Sequence, residues 1–150
     1  MFVRNCWYVI AWDHEVPADG LFTRTVLNEA ILLYRTQDGR IVALRDRCCH
    51  RLAPLSKGRK EGDCVRCGYH GLLFDAEGCC IEIPGVDTVP PKARVQNYPI
   101  AVKNKWVFVW MGAPEQADPA LLPDNFSCDD PEWDYIPGYL HYDTPQPLVC

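Results

Sequence analysis

Two short motifs constrain this chain more than any other feature: Cys48-x-His50 and, 16 residues later, Cys67-x-x-His70. Two cysteines and two histidines can enclose a zinc ion tetrahedrally, but zinc motifs usually pair cysteine with cysteine and histidine with histidine. Here each motif supplies one of each. That arrangement favours a two-iron, two-sulfur cluster, in which one iron takes both thiolates and the other takes both imidazoles. The motifs therefore predict a metal site, with a structural zinc module as the alternative.

The cysteine count and the charge balance narrow the class of protein further. The nine cysteines are odd in number and no export signal is visible, so metal ligands or buried thiols are expected rather than disulfides. A formal net charge of −5 argues against nucleic-acid binding, which requires a basic surface. No apolar run approaches the roughly 18 residues of a membrane span. We expect a cytoplasmic protein that binds neither nucleic acid nor membrane.

The remaining pattern is that of an all-β protein. Short runs of β-branched and aromatic residues alternate with turn signals, and no stretch shows sustained helical periodicity. Three hairpins are predicted, pairing residues 31–35 with 40–44, 72–75 with 79–83, and 98–102 with 105–110. Residues 7–12 and 22–27 are predicted as further strands. Strands of this length and spacing indicate a small antiparallel sandwich or barrel.

Composition changes after the third hairpin. Residues 113–132 are rich in proline and acidic residues, which is typical of a linker that leaves a domain. Residues 133–143, "WDYIPGYLHYD", then read as the beginning of another strand. The sequence therefore predicts one main domain over residues 1–112, a linker over 113–132, and the first strand of a second domain within 133–150.

The segment "CCHRLAPLSKGRKEGDCVRCGYHGLLFD" resembles the cluster-binding segment of Rieske non-haem iron oxygenases. More narrowly, "MFVRNCWYVIAW", "ADPALLPD" and "DDPEWDYIPGYLHY" resemble the N-terminal part of oxygenase subunits of the vanillate O-demethylase and toluenesulfonate monooxygenase type. The resemblance implies the Rieske iron–sulfur fold, in which two loops form a subdomain that holds the cluster. It covers essentially the whole chain.

The resemblance also implies which side chains bind the [2Fe-2S] cluster. The first motif of the family has its cysteine two residues before the histidine, so Cys48 is the expected ligand and Cys49 a neighbour. Cys49 itself is a departure, because most members carry proline there. Cys64 precedes the second motif and has no matching histidine. The expected ligands are Cys48, His50, Cys67 and His70.

Four positions place the chain among Rieske proteins of low reduction potential. Respiratory Rieske proteins join their two loops by a disulfide, at positions that are Ala53 and Tyr69 here. They also direct serine and tyrosine hydroxyls at the cluster, at positions that are Leu72 and Phe74 here. Fewer donors to the sulfurs stabilise the reduced form less, which predicts a potential near about −150 mV. Such a potential suits electrons supplied by NADH through a flavin/ferredoxin-type reductase.

In the family, a Rieske domain of this kind feeds a catalytic domain that follows it. There two histidines and one carboxylate hold mononuclear Fe(II). After His70 this sequence contains only His141, so the Fe(II) site is expected in a C-terminal domain absent from this chain. In the family, electrons pass to the iron of a neighbouring subunit of a homotrimer, and the substrate of the full-length enzyme is a small aromatic molecule.

Two interpretations of function stay open from the sequence. The chain is either the electron-transfer part of such an oxygenase or a free-standing Rieske-type ferredoxin. The long tail after residue 112 favours the first. A locally basic stretch, Arg51, Lys57, Arg59 and Lys60, is expected to steer an acidic reductase.

Overall fold

The structure is a computed structural model that describes residues 2–141, and within them it contains only strands, single 3-10 turns and loops. The strands are β1 (Trp7–Trp12), β2 (Phe22–Val26), β3 (Glu29–Arg35), β4 (Ile41–Arg45), β5 (Arg59–Glu61), β6 (Cys64–Arg66), β7 (Leu73–Phe74), β8 (Cys80–Glu82), β9 (Asn97–Tyr98), β10 (Ile100–Lys103) and β11 (Trp106–Trp110). The 3-10 turns are Asp13–Glu15, Leu55–Lys57, Pro114–Gln116, Pro119–Leu121 and Phe126–Cys128.

These strands form three antiparallel sheets. One sheet has the order β1-β11-β10, the second β2-β3-β4-β9, and the third β5-β6-β7-β8. The second sheet is the middle layer, because strand β3 buries side chains on both of its faces. Ile31 and Leu33 pack with the first sheet, whereas Leu32 and Tyr34 pack toward the third. A strand covered on both faces reads as a continuous apolar run rather than an alternating one, as "ILLY" does here.

The predicted all-β fold is confirmed, and so are the three predicted hairpins. β3 pairs with β4, β7 with β8, and β10 with β11, with the third hairpin turning through Asn104 and Lys105 at positive φ. Strands β1 and β2 also lie where the sequence predicts them. The sequence analysis missed β5, β6 and β9, which are only two or three residues long. Charged residues such as those of "RKE" give no β-strand signal.

The strand predicted over residues 133–143 is not found in the described part of that segment, residues 133–141. No sheet edge pairs with it there, and an extended segment becomes a strand only when a neighbour accepts its backbone hydrogen bonds. Residues 133–141 instead contact the body through side chains. Tyr135 stacks on Trp12 with ring centroids 5.7 Å apart, and Trp12 Nε1 donates to the Gly138 carbonyl at 3.3 Å. Residues 142 and 143 lie outside the described residues.

Candidate metal centre

Two loops with the same backbone pattern carry the two Cys-His motifs; we call them the first loop (residues 48–53) and the second loop (residues 67–72). In each, the cysteine N–H donates to the carbonyl five residues later, at 2.9 Å in the first loop and 2.8 Å in the second. The N–H four residues after the cysteine donates back to the cysteine carbonyl, at 3.0 and 3.1 Å. The residue at that fourth position is left-handed in both, Leu52 with φ 60° and Gly71 with φ 76°. The loops are therefore structural repeats of each other.

The third sheet and a 3-10 turn hold these loops side by side. The second loop connects β6 to β7, which are hydrogen-bonded neighbours, so it is the closed end of a hairpin. The first loop leads into the turn Leu55–Lys57, which Asp46 fixes by accepting hydrogen bonds from the Ser56 N–H at 2.7 Å and Oγ at 2.6 Å. Gly58 and Gly68 let this turn approach the second loop. A Cβ on Gly68 would lie 2.7 Å from the Lys57 carbonyl oxygen.

The structure brings the four expected ligands together at the ends of the two loops. Cys48 and Cys67 are buried, each 2% exposed, and they lie close enough for Cys67 to contribute to the raised pKa of the Cys48 thiol. His50 and His70 are exposed, and their rings pack edge to face with centroids 4.6 Å apart. Two sulfurs thus lie below the surface and two imidazoles at it. This is the donor arrangement that a cluster with one thiolate-bound and one imidazole-bound iron requires.

The environment of the thiols shows whether these residues fit such a cluster. Burial raises the pKa of the Cys48 thiol to about 11, and the adjacent Cys67 adds to the increase. A buried thiolate is unfavourable unless a cation compensates it, and iron ligation deprotonates a thiol for that reason. Apolar residues, among them Leu72 and Phe74, pack in the same core as both cysteines. The residues present therefore fit a [2Fe-2S] cluster of the Rieske type.

The other cysteines lie in different surroundings. Cys49 is exposed beside the first loop, whereas Cys64 lies in β6 near Tyr34 and the carboxylates of Asp75 and Asp63. Every cysteine among residues 2–141 is a free thiol; Cys150 lies outside the described range. Within residues 2–141, no group of three or more His, Cys, Asp or Glu side chains is arranged to hold one metal ion. A binuclear cluster needs only two protein ligands at each iron.

The surface around the exposed histidines combines apolar and basic groups. An open pocket of about 350 Å³ adjoins His50 and is lined by Cys49, His50, Leu72, Ile83, Pro90, Lys92 and Ala93. Of the basic residues expected to steer a partner, Arg51 and Lys57 are exposed, but Arg59 forms an ion pair with Glu61 at 2.6 Å. The free positive charge near the site is therefore smaller than the sequence count suggests.

Sequence reasoning missed three residues that position the loops: Asp46, Gly58 and Arg66. Asp46 lies two residues before the first loop, and Arg66 lies directly before the second, where it donates to the Gly71 carbonyl at 2.8 Å. An aspartate ten residues before a serine carries no recognisable pattern in a single sequence. The arginine could have been suspected only from its place next to a candidate ligand.

Known proteins resemble this chain in sequence. The family model described as the Rieske [2Fe-2S] domain matches residues 6–99. The toluene-4-sulfonate monooxygenase system iron-sulfur subunit of Comamonas testosteroni is 56% identical over 99% of this chain and 43% of its own length. The dicamba O-demethylase oxygenase component of Stenotrophomonas maltophilia is 41% identical over 99% of this chain and 44% of its own length.

Solved structures agree with the sequence relatives. The crystal structure of dicamba monooxygenase bound to dicamba superposes with a TM-score of 0.82 and 39% identity, covering 87% of this chain and 39% of that protein. A terminal oxygenase of carbazole 1,9a-dioxygenase from Nocardioides aromaticivorans superposes with a TM-score of 0.74 and 32% identity, covering 82% of this chain and 35% of that protein. The chain thus spans less than half the length of these relatives.

Proposed function

The chain belongs to the Rieske [2Fe-2S] domain family, and on that premise we propose that it is the electron-transfer part of an oxygenase component acting on aromatic compounds. The ligands are Cys48, His50, Cys67 and His70. The observation that carries the proposal is the pairing of two buried thiols with two exposed, adjoining imidazoles, whose ring centroids lie 4.6 Å apart, at the ends of repeated loops. When bound, the cluster supplies storage of one electron at a time.

The two cysteines and the two histidines have different roles at the site. Cys48 and Cys67 bind from the interior, where the apolar core excludes water from the sulfurs. His50 and His70 are exposed and would hold the other iron, leaving one ring nitrogen of each available to a partner at the surface. Those nitrogens can hold a proton or donate a hydrogen bond to an acidic group on a partner, which makes the histidine side the exit for electrons.

The same surface supports a proposal for the redox partners of the chain. A flavin/ferredoxin-type reductase supplies electrons, and the exposed Arg51 and Lys57 attract its acidic groups. The acceptor is a mononuclear non-haem iron outside this chain, in a homotrimer of the intact oxygenase. Relatives named for toluene-4-sulfonate and dicamba support an aromatic acid as the substrate class of the full-length protein.

The domain boundaries complete the proposal. We assign residues 1–112 to the Rieske domain, because β11 is the last strand within residues 2–141 and ends at Trp110, in the centre of the first sheet. Residues 113–132 connect it to a catalytic domain that begins within 133–150. No helix in residues 2–141 is long and apolar enough to cross a membrane.

Paired cysteine substitutions test the ligand assignment. Cys48→Ala and Cys67→Ala should abolish the visible absorption of the cluster and reduce bound iron and sulfide, because each removes a ligand. Cys49→Ala and Cys64→Ala are the matched controls, being neighbours of the same loops, and should keep the spectrum and the iron. Loss of the cluster in either control, or zinc in place of iron in the unmodified chain, would contradict the proposal.

A further inference from the structure

The side chain of Arg66 links the beginning of the second loop to its end. It lies immediately before Cys67, and its Nη1 donates at 2.8 Å to the carbonyl oxygen of Gly71, the residue that follows His70. The guanidinium therefore spans the segment that carries both expected ligands of this loop. Its side chain is only 14% exposed, so it is held against the sheet rather than extended into solvent.

Two carboxylates from other strands of the same sheet fix the guanidinium in that position. Nε lies 2.8 Å from both oxygens of Glu61 in β5, while Nη1 and Nη2 donate to Glu82 in β8 at 2.8 and 3.1 Å. The hydrogen bonds from Arg66 lower the pKa of Glu61 and of Glu82, so both stay ionised. Three acceptors on three segments meet at one planar donor, a geometry that arginine provides and lysine does not.

Removing the arginine charge would alter both the geometry and the field at the loop. The Gly71 carbonyl would lose this donor, and both carboxylates would remain beside the loop, with Glu61 still paired to Arg59, which is 66% exposed. The potential of an iron–sulfur cluster depends on nearby charge and on groups that orient its ligands. Negative charge left near the cluster disfavours the added electron and lowers the potential.

We propose that Arg66 is a positioning residue for the cluster: it ties the second loop to Glu61 and Glu82 and so fixes the orientation of His70 and the reduction potential. The inference rests on the proposed function, because it assumes that Cys67 and His70 are ligands. An ion pair that served the sheet alone would contribute to stability and leave the redox properties unchanged.

The experiment uses the reconstituted chain and three variants, Arg66→Gln, Arg66→Lys and Arg59→Gln. Arg59→Gln is the matched control, since it removes a charge from the same Glu61 but makes no bond to the loop. The reduction potential is measured by spectroelectrochemical titration, and ligand order by the width of the EPR lines of the reduced protein. Iron per chain and thermal unfolding are recorded for each variant.

Arg66→Gln should lower the potential and broaden the EPR lines, whereas Arg59→Gln should leave both close to those of the unmodified chain. Arg66→Lys should recover part of the potential, because the charge returns, but keep the broad lines, because an ammonium cannot bridge all three acceptors. If the Arg66→Gln variant does not retain the cluster, the Arg66→Lys variant provides the test. A reduction potential and an EPR line width in Arg66→Lys equal to those of the unmodified chain would then overturn the inference.

Two further results would also overturn it. One is an Arg66→Gln variant that loses thermal stability but keeps its potential and line width, as a purely structural ion pair would. The other is an equal shift in Arg59→Gln, which would reduce the effect to general surface charge. An unmodified chain without a [2Fe-2S] signal would instead refute the proposed function itself.

Discussion

Substituting Gly58 by alanine should separate the two halves of the metal site. Gly58 follows the 3-10 turn Leu55–Lys57, and a Cβ at this position would lie 2.0 Å from the carbonyl oxygen of Arg66. Ordinary contact begins at 3.4 Å, so the backbone must yield by about 1.4 Å. The φ of Gly58 is −90°, outside the left-handed region, so the steric contact and not backbone conformation decides the effect.

The size of the effect follows from which atom must move. The obstacle is backbone directly before Cys67, so relief by a side-chain rotation is excluded. Inserting a carbon into a packed site costs about 1–3 kcal/mol, and about 2 kcal/mol corresponds to a melting temperature lower by about 4–8 °C in a chain of this size. Ligands must be held within about 0.5 Å to bind productively. The required displacement exceeds that tolerance, so the chain should also bind less iron.

Two other glycines provide a graded comparison. Gly68→Ala places its Cβ 2.7 Å from the Lys57 carbonyl oxygen, a smaller conflict of about 0.7 Å. Gly138→Ala meets no atom within 4 Å. Iron and sulfide per chain and the melting temperature should fall most in Gly58→Ala, less in Gly68→Ala and hardly at all in Gly138→Ala. Full iron content and an unchanged melting temperature in Gly58→Ala would refute the close approach of the two loops.

Substitutions at three further positions probe the ligands, the loop conformation and the core. His70→Cys should move the potential from near about −150 mV toward the roughly −400 mV of all-cysteine ferredoxins; an unchanged potential in a redox titration would remove His70 from the ligand set. Leu52, at φ 60°, should tolerate glycine with little change in melting temperature, whereas Leu52→Val should destabilise by about 1 kcal/mol or more; equal stability of the two would contradict the left-handed turn. Burial, and to a smaller extent nearby negative charges, raises the pKa of Tyr34 above its ordinary 10.0. As the pH rises past 10.0, the unfolded chain therefore loses this proton before the folded chain does, and the free energy of unfolding should decline. Tyr34→Phe should cost about 1 kcal/mol at neutral pH, because the hydrogen bond to the Asp63 carbonyl is lost, and should flatten the decline in a pH series of thermal unfolding; an equally steep decline would assign it to other groups.

The sequence predicts the hairpins well because their signals are local. In "ILLYRTQDGRIVAL" a turn sequence separates two apolar runs, which predicts that they pair, and β3 does pair with β4. Strands β5 and β6 lack such a signal, since each is only three residues long and β5 consists entirely of charged residues. The strand predicted after residue 132 is the converse case, because the apolar pattern of residues 133–141 has no neighbouring edge to pair with among the described residues.

The sequence predicts the candidate donor residues of the site, but it does not predict the residues that hold their loops in place. Spacing identifies the two Cys-His motifs, and the buried position of Cys48 against the exposed Cys49 agrees with the ligand expected from the resemblance. The residues that hold the loops contact other segments of the chain: Asp46 contacts Ser56, and Arg66 contacts Glu61 and Glu82. The spacing of these residues in the sequence follows no regular pattern, so only the folded structure reveals their contacts.

The nitrogen couplings in the EPR spectrum of the dithionite-reduced chain test the central claim most directly. The chain is produced with ¹⁵N-labelled histidine and reconstituted with iron and sulfide, and pulsed EPR at low temperature measures coupling to the label. Ligation by His50 and His70 predicts a reduced [2Fe-2S] signal with strong coupling to two histidine nitrogens. A [2Fe-2S] signal without that coupling, or a chain that binds zinc and gives no signal, would contradict the account.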